Sequence, residues 1–206
     1  MRLRFIYLFT LALFTANIYA QGPDIRILRL INSPANLPSD GFFRFISNSD
    51  TYISVGIPAV IFSTGIIKHD EATTRNGIVC FASLAVSSGI TLALKYAVDR
   101  QRPFIKYPDI TKKSVAGSPS FPSGHTTSAF SVATSLSLAY PKWYVIAPSF
   151  AWAGTVGFSR MDLGVHYPSD VLAGAIIGSG TAWLTWYINK KLSRKPWEKP
   201  CNCPDM

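Results

Sequence analysis

The stretch Phe158–Asp170 reads F-S-R-M-D-L-G-V-H-Y-P-S-D and separates two apolar segments of the chain. It brings an arginine, a histidine and a carboxylate into one short polar window: Arg160, His166 and Asp170. Because proline is tolerated in the first turn of a helix, the next helix is predicted to begin at Pro168. Asp170 can then reach one ring nitrogen of His166 and leave the other as a nucleophile or base. A surface loop with an N-capping aspartate is the alternative interpretation of this stretch by itself.

Two further polar stretches precede this window, Lys95–Pro103 (K-Y-A-V-D-R-Q-R-P) and Pro122–His125 (P-S-G-H). Taken in order, K-x6-R-P, P-S-G-H and S-R-x5-H-x3-D resemble the three signature motifs of the type-2 phosphatidic acid phosphatase and vanadium haloperoxidase superfamily. Every signature position is matched, and the resemblance spans Lys95–Asp170. It implies a helical phosphatase that needs no metal or other cofactor.

The resemblance also implies a role for each matched residue. His166 is expected to be the nucleophile that forms a phosphohistidine, with Asp170 as its orienting partner and His125 as the general acid for the leaving oxygen. The residues expected to bind the substrate phosphate are Lys95, Arg102, Arg160, Ser123 and Gly124. Three neighbouring charged residues are expected to be solvated and to take no part: Asp99, Arg100 and Lys106.

The chemistry of phosphoryl transfer fits this set of side chains. A transferring phosphoryl group spreads negative charge over its oxygens, so the protein must neutralise and position it. Three fixed cations can do this, helped by the main-chain N–H groups of Ser123 and Gly124 at the start of the next helix. A zinc site built from His125, His166 and Asp170 is the main chemical rival. The surrounding lysine and arginines would repel a dication, and a serine hydrolase is disfavoured because no nucleophile-elbow pattern is present.

Composition indicates a membrane protein. The 206 residues suit one domain, and 48% of them are hydrophobic while 15% are charged, with the charges confined mainly to short stretches between apolar ones. The net charge of +9 fits cationic ends that face anionic lipid, together with a basic phosphate site, and no basic-aromatic patch predicts nucleic acid binding. Cys80 lies in an apolar run, and the C-x-C at Cys201 and Cys203 lacks nearby further ligands for a metal.

The chain divides into four predicted parts. Residues 1–20 resemble a signal peptide, with an uncleaved first transmembrane helix as the alternative. Residues 21–50 form a mixed segment with a short amphipathic piece at Phe42–Ile46, residues 51–190 form the phosphatase bundle, and residues 191–206 form a basic tail.

Five apolar segments predict an all-α bundle of about five membrane-spanning or core helices. They are Thr51–Ile67, Asn76–Val98, Thr126–Tyr140, Trp143–Phe158 and Val171–Ile188. A helix needs about 20 apolar residues to cross a bilayer, and only the second segment clearly exceeds that length. The frequent serine, threonine and glycine residues suit close helix packing within a membrane. They also suit the core of a soluble all-helical enzyme.

If each segment crosses once, all three motifs lie on one face and the basic tail lies on the cytoplasmic side. We therefore predict a phosphatase of the bacterial inner membrane that acts on a lipid-linked phosphate or pyrophosphate at the periplasmic face. The alternatives are a soluble periplasmic acid phosphatase of the same superfamily and a non-catalytic membrane protein that binds phosphate. Haloperoxidation is less favoured in so small and apolar a chain. The sequence leaves the individual lipid and the oligomeric state open.

Overall fold

A computed structural model describes residues 21–32 and 40–192, and every regular element in this part of the chain is a helix. The helices are α1 (Gln21–Ile31), α2 (Asp40–Ile67), α3 (Glu71–Val98), α4 (Pro103–Lys106), α5 (Gly124–Ala139), α6 (Trp143–Asp162) and α7 (Pro168–Leu192). The predicted all-α bundle is confirmed, and α7 begins at the predicted proline. The predicted signal peptide and all but the first two residues of the predicted basic tail lie outside the described residues.

The first two long helices begin earlier than the apolar pattern predicts. α2 starts at Asp40 and runs through the predicted boundary at residues 50 and 51. The piece around Phe42–Ile46 is therefore the first part of a helix that is long and apolar enough to cross a membrane. The polar residues Ser47 and Asp50 interrupt the apolar pattern, but they are buried inside the bundle. α3 starts at Glu71 because the Asp70 side chain caps it, accepting hydrogen bonds from the next helical N–H groups at 3.0 and 3.2 Å.

α5 is the central helix of the bundle and packs against α2, α3, α6 and α7. Its approach to α7 is close because glycines face it: a Cβ placed on Gly178 would lie 2.3 Å from the main-chain oxygen of Thr127. One turn before Gly178, a Cβ on Gly174 would lie 2.7 Å from the oxygen of Ser123. This contact brings the first turn of α7 beside the first turn of α5.

The bundle buries many hydroxyl side chains beside its apolar core clusters and exposes many large apolar ones. Small hydroxyl side chains are buried between the helices: Ser47, Ser54, Ser83, Ser87, Thr126, Thr127, Ser131 and Ser135. Large apolar side chains face outward: Val55, Val60, Ile78, Val86, Leu92, Leu172, Ile176, Trp183 and Leu184. Three helical stretches are long and apolar enough to cross a membrane: Asp40–Ile67, Glu71–Lys106 and Pro168–Leu192. α5 has only 16 residues, or about 24 Å at 1.5 Å per residue.

The two ends of the bundle differ. At one end, Arg75 near the start of α3 donates to the side-chain oxygen of Asn189 near the end of α7, at 2.8 Å. At the other end, α1 packs across α6 and α7 through Ile25 and Leu28, which form a small core with Ile110 and others. All three sequence motifs lie at this second end, which we call the site end.

Candidate active site

The structure brings the predicted catalytic and phosphate-binding residues together at the site end. Lys95 lies in the last turn of α3 and Arg102 immediately before α4, whereas Arg160 lies in the last turn of α6. His125 opens α5 and is close enough to Lys95, Arg102, Arg160 and His166 for their charges to act on it. Three stretches that are far apart in the sequence therefore form one cluster.

His166 lies in the loop between α6 and α7 and is only 2% exposed. Its Nε2 is 3.4 Å from a guanidinium nitrogen of Arg102. Its Nδ1 is 3.6 Å from Oδ2 of Asp170 and has no hydrogen-bond partner among the described residues. The two side chains lie next to each other, as predicted, but 3.6 Å is longer than a direct hydrogen bond. Burial lowers the pKa of His166 to about 4, against the opposing effect of Asp170, so the ring is neutral at pH 7.

Asp170 is completely buried in the first turn of α7, and both of its carboxylate oxygens are held. Oδ2 accepts from the Ser120 hydroxyl at 2.5 Å and from the Tyr167 N–H at 3.0 Å. Oδ1 accepts from Arg100 at 2.5 Å. The prediction that Arg100 is solvated is therefore wrong. Of the two arginines in D-R-Q-R-P only the second matches the motif, and nothing in the spacing indicates that the first folds back toward Asp170.

Three buried cations surround the histidines. Lys95, Arg102 and Arg160 are 7%, 6% and 3% exposed. Lys95 donates to the Pro119 carbonyl at 2.6 Å, and Arg102 donates to two main-chain carbonyls at 2.7 and 2.8 Å. Arg160 donates to the Ser47 hydroxyl, while its Nε has no partner among the described residues. Across residues 21–32 and 40–192, none of the three forms a salt bridge with a carboxylate.

The main-chain N–H of Ser123 has a different partner from the predicted phosphate. Its N–H donates to the main-chain oxygen of Asp170 at 3.1 Å, so this donor does not point at a phosphate. Its hydroxyl is buried and accepts a hydrogen bond from Thr126 at 2.9 Å. Because the N–H contact joins the starts of α5 and α7, Ser123 helps to fix the position of Asp170 relative to α5. Gly124 instead lines the adjacent cavity.

A cavity of about 220 Å³ opens beside His125 and Lys95. Asp50 of α2 also lines it, and its carboxylate accepts hydrogen bonds from Ser54 and Ser128 at 2.8 and 2.7 Å. Sequence reasoning missed Asp50 because it assigned this residue to the mixed N-terminal segment. Within the part of the chain that the structure describes, no group of three or more histidine, cysteine or acidic side chains is placed to hold a metal ion.

Comparison with known proteins identifies the family. A sequence profile described as the PAP2 superfamily matches residues 77–194, which is more than half of the chain. The chain belongs to the PAP2 superfamily. The family and enzyme class predicted from the motifs, a phosphoric ester hydrolase, are thereby confirmed.

Several relatives of the chain are named as phosphatases. An undecaprenyl-diphosphatase from Sulfolobus acidocaldarius is 29% identical over 81% of this chain and 79% of its own. A lipid A 4'-phosphatase from Bacteroides thetaiotaomicron is 39% identical over 36% of this chain and 33% of its own. Among solved structures, a transmembrane PAP2-type phosphatidylglycerolphosphate phosphatase from Bacillus subtilis aligns with a TM-score of 0.74 and 25% identity. That alignment covers 92% of this chain and 96% of the other.

Proposed function

We propose that this chain is an integral membrane phosphatase that hydrolyses a lipid-linked phosphate or pyrophosphate through a phosphohistidine. The observation that carries the proposal is the cluster of three buried cations around two histidines. Within the described ranges these cations form no salt bridge, and Asp170 and Asp50 act on them only from a longer distance. Burying a charge without an anionic partner is unfavourable, so these cations are expected to bind an anion during the protein's activity. A phosphate group supplies that anion.

The lipid part of the proposal rests on the outer surface of the bundle. Large apolar side chains face outward along α2, α3 and α7, while hydroxyl side chains are buried between the helices. Such a surface is stable in the hydrocarbon of a bilayer and unfavourable in water. The named lipid phosphatases among its relatives support the same substrate class.

In the proposed first step, Nε2 of the neutral His166 attacks phosphorus. Arg102 and the other two cations neutralise the equatorial phosphate oxygens, and each charge-assisted hydrogen bond contributes about 1.5 to 3 kcal/mol. The negative charge of the bound phosphate favours the protonated form of His125, which takes this proton from solvent. The bond from phosphorus to the leaving oxygen breaks as His125 gives that oxygen the proton. The products are the dephosphorylated lipid and phosphohistidine, and Asp170 stabilises the positive charge on the ring.

In the second step, a water molecule attacks the phosphorus of the phosphohistidine. His125, now neutral, accepts a proton from the water as the phosphorus–nitrogen bond breaks. Inorganic phosphate leaves, and both histidines return to their starting protonation states. The site is proposed to face the periplasm, since the site end then lies opposite the turn that contains Lys68 and the basic end of α7.

The test is to trap the intermediate. Purified protein is mixed with undecaprenyl pyrophosphate labelled at its terminal phosphate, quenched in alkali and digested for peptide mapping. Label is expected on the peptide that contains His166, and His166→Ala should abolish both the label and phosphate release. His69→Ala removes an exposed histidine at the opposite end and serves as the control. Binding of labelled lipid without any phosphate release would support a phosphate-binding protein instead.

A further inference from the structure

A buried ionic network joins α1 to the candidate catalytic carboxylate. Arg100 donates through Nη1 to Asp170 at 2.5 Å and through Nη2 to Asp24 of α1 at 2.8 Å. Asp24 also accepts from the N–H and the hydroxyl of Ser169, at 2.9 and 2.5 Å. We call these four residues, Asp24, Arg100, Ser169 and Asp170, the Arg100 bridge.

The geometry of the Arg100 bridge is rigid. The Arg100 guanidinium lies 3.9 Å from the centroid of the Tyr167 ring. One face of the guanidinium therefore packs against that ring. The two carboxylate partners of Arg100 are 5% and 0% exposed. A planar guanidinium presents its donors in fixed directions, and these contacts fix the direction in which Oδ1 of Asp170 points.

We infer that Arg100 is the positioning residue for Asp170 and that α1, through Asp24, is part of the active-site framework. The inference rests on the proposed function. With Oδ1 held by Arg100, the second oxygen of Asp170 faces Nδ1 of His166 at 3.6 Å. Without Arg100, only the contacts of Oδ2 with Ser120 and the Tyr167 N–H remain. Oδ1 then loses its charged donor, and the carboxylate is held less firmly in the orientation that stabilises the positive charge on the ring during attack.

A second arginine–aspartate pair provides a matched comparison. Arg29 of α1 and Asp109 form a salt bridge of 2.7 Å between the same helix and the same α3–α5 connection that contains Arg100. This pair is about half exposed, at 48% and 51%, and does not contact Asp170. Because the Arg29 pair is exposed, its loss costs less stability than loss of the buried bridge. If the Arg100 bridge only attached α1 to the bundle, turnover in variants of both pairs would fall only in proportion to the loss of stability.

The experiment measures kcat and KM for phosphate release from undecaprenyl pyrophosphate by the purified full chain in detergent. Arg100→Gln is expected to lower kcat by about 10²-fold, since a misplacement of about 1 Å can have that effect, with little change in KM. Asp24→Asn should lower kcat less, and Arg100→Lys should recover part of the loss because it keeps the charge. The controls Arg29→Gln and Asp109→Asn should stay within about two-fold of wild type, as expected for exposed pairs. Equal losses in controls and bridge variants would overturn the inference.

Repeating Arg100→Gln in an Asp170→Asn background separates positioning from general destabilisation. If Arg100 acts through Asp170, adding Arg100→Gln to the Asp170→Asn protein should lower its kcat little further, because the two losses are not independent. A full additional loss, or Arg100→Gln and Arg100→Lys proteins that both fail to fold, would make the bridge a structural element and overturn the inference. If the wild type is active and Arg100→Gln has the same kcat, only the inference about Arg100 is overturned. A wild type that releases no phosphate overturns the proposed function as well.

Discussion

At the scale of single residues, the site combines a neutral buried histidine with three buried cations that form no salt bridge in the part of the chain that the structure describes. Burial holds the pKa of His166 at about 4, whereas an unperturbed histidine titrates near 6.5. Between these values the unfolded chain binds a proton that the folded chain excludes. The stability contributed by the neutral ring is therefore complete above about pH 6.5 and lost as the pH falls toward 4.

This difference predicts the pH dependence of stability. Between pH 7.5 and pH 5, the melting temperature of the wild-type protein in detergent should fall further than that of His166→Gln, which lacks the buried ring. Differential scanning fluorimetry at closely spaced pH values measures the melting temperature of each protein. His69→Gln, at an exposed position, should follow the wild type. Parallel curves for wild type and His166→Gln would mean that His166 is not buried in a neutral form.

The buried cations predict how the site responds to metal chelators and to anions. Because Lys95, Arg102 and Arg160 repel a dication, turnover should be unchanged in EDTA, while vanadate should inhibit by taking the five-coordinate shape of the transferring phosphoryl group. Arg160→Gln should weaken vanadate inhibition, since the unpaired Nε of Arg160 is available to an oxyanion. Activity lost in EDTA and restored by zinc would replace the phosphohistidine mechanism with a metal-dependent one.

At the scale of helices, the contact between α5 and α7 sets the distance between the two helix starts that form the site. Alanine normally stabilises a helix relative to glycine by about 0.5 to 1 kcal/mol. At Gly178, however, the added Cβ would lie 2.3 Å from a carbonyl of α5, and overpacking of this kind costs about 1 to 3 kcal/mol. Gly178→Ala should therefore lower both the melting temperature and kcat. Gly180→Ala is the control in the same helix, where an added Cβ meets no described atom within 4 Å. Equal stability of the two variants would contradict the close contact.

The helices also illustrate what the sequence can predict. Apolar runs located all five long helices, and the motifs located the residues that cluster at the site end, because both signals are local in the chain. The early start of α2 was missed since two of its polar residues, Ser47 and Asp50, are buried in the bundle rather than exposed to solvent. Arg100 is separated in the sequence from Asp24 by 76 residues and from Asp170 by 70 residues. The Ser123 N–H donates to a main-chain carbonyl of another helix. Such contacts depend on how the helices pack, which no local pattern encodes.

At the scale of the whole molecule, the placement of the site depends on how the chain crosses the membrane. The connections alternate between the two ends of the bundle, so the α3–α5 connection lies at the site end and the α2–α3 turn lies at the other. An exposed residue in each of these two connections can serve as a labelling position outside the candidate active site. Val115 is 93% exposed in the first, and Lys68 is exposed in the second.

Cysteines at these two positions test the proposed sidedness. In a background with Cys80, Cys201 and Cys203 replaced, Val115→Cys should react with a membrane-impermeant thiol reagent in intact spheroplasts. Lys68→Cys should react only after lysis. Labelling of both cysteines in intact spheroplasts would contradict a membrane-spanning bundle, and release of the chain with the soluble periplasmic proteins would favour the soluble phosphatase. With the predicted pattern, the lipid's phosphate meets the cations at the membrane surface while its chain stays beside the apolar helix faces. Water-soluble phosphate esters should then be poorer substrates, because they lose the binding energy of the chain.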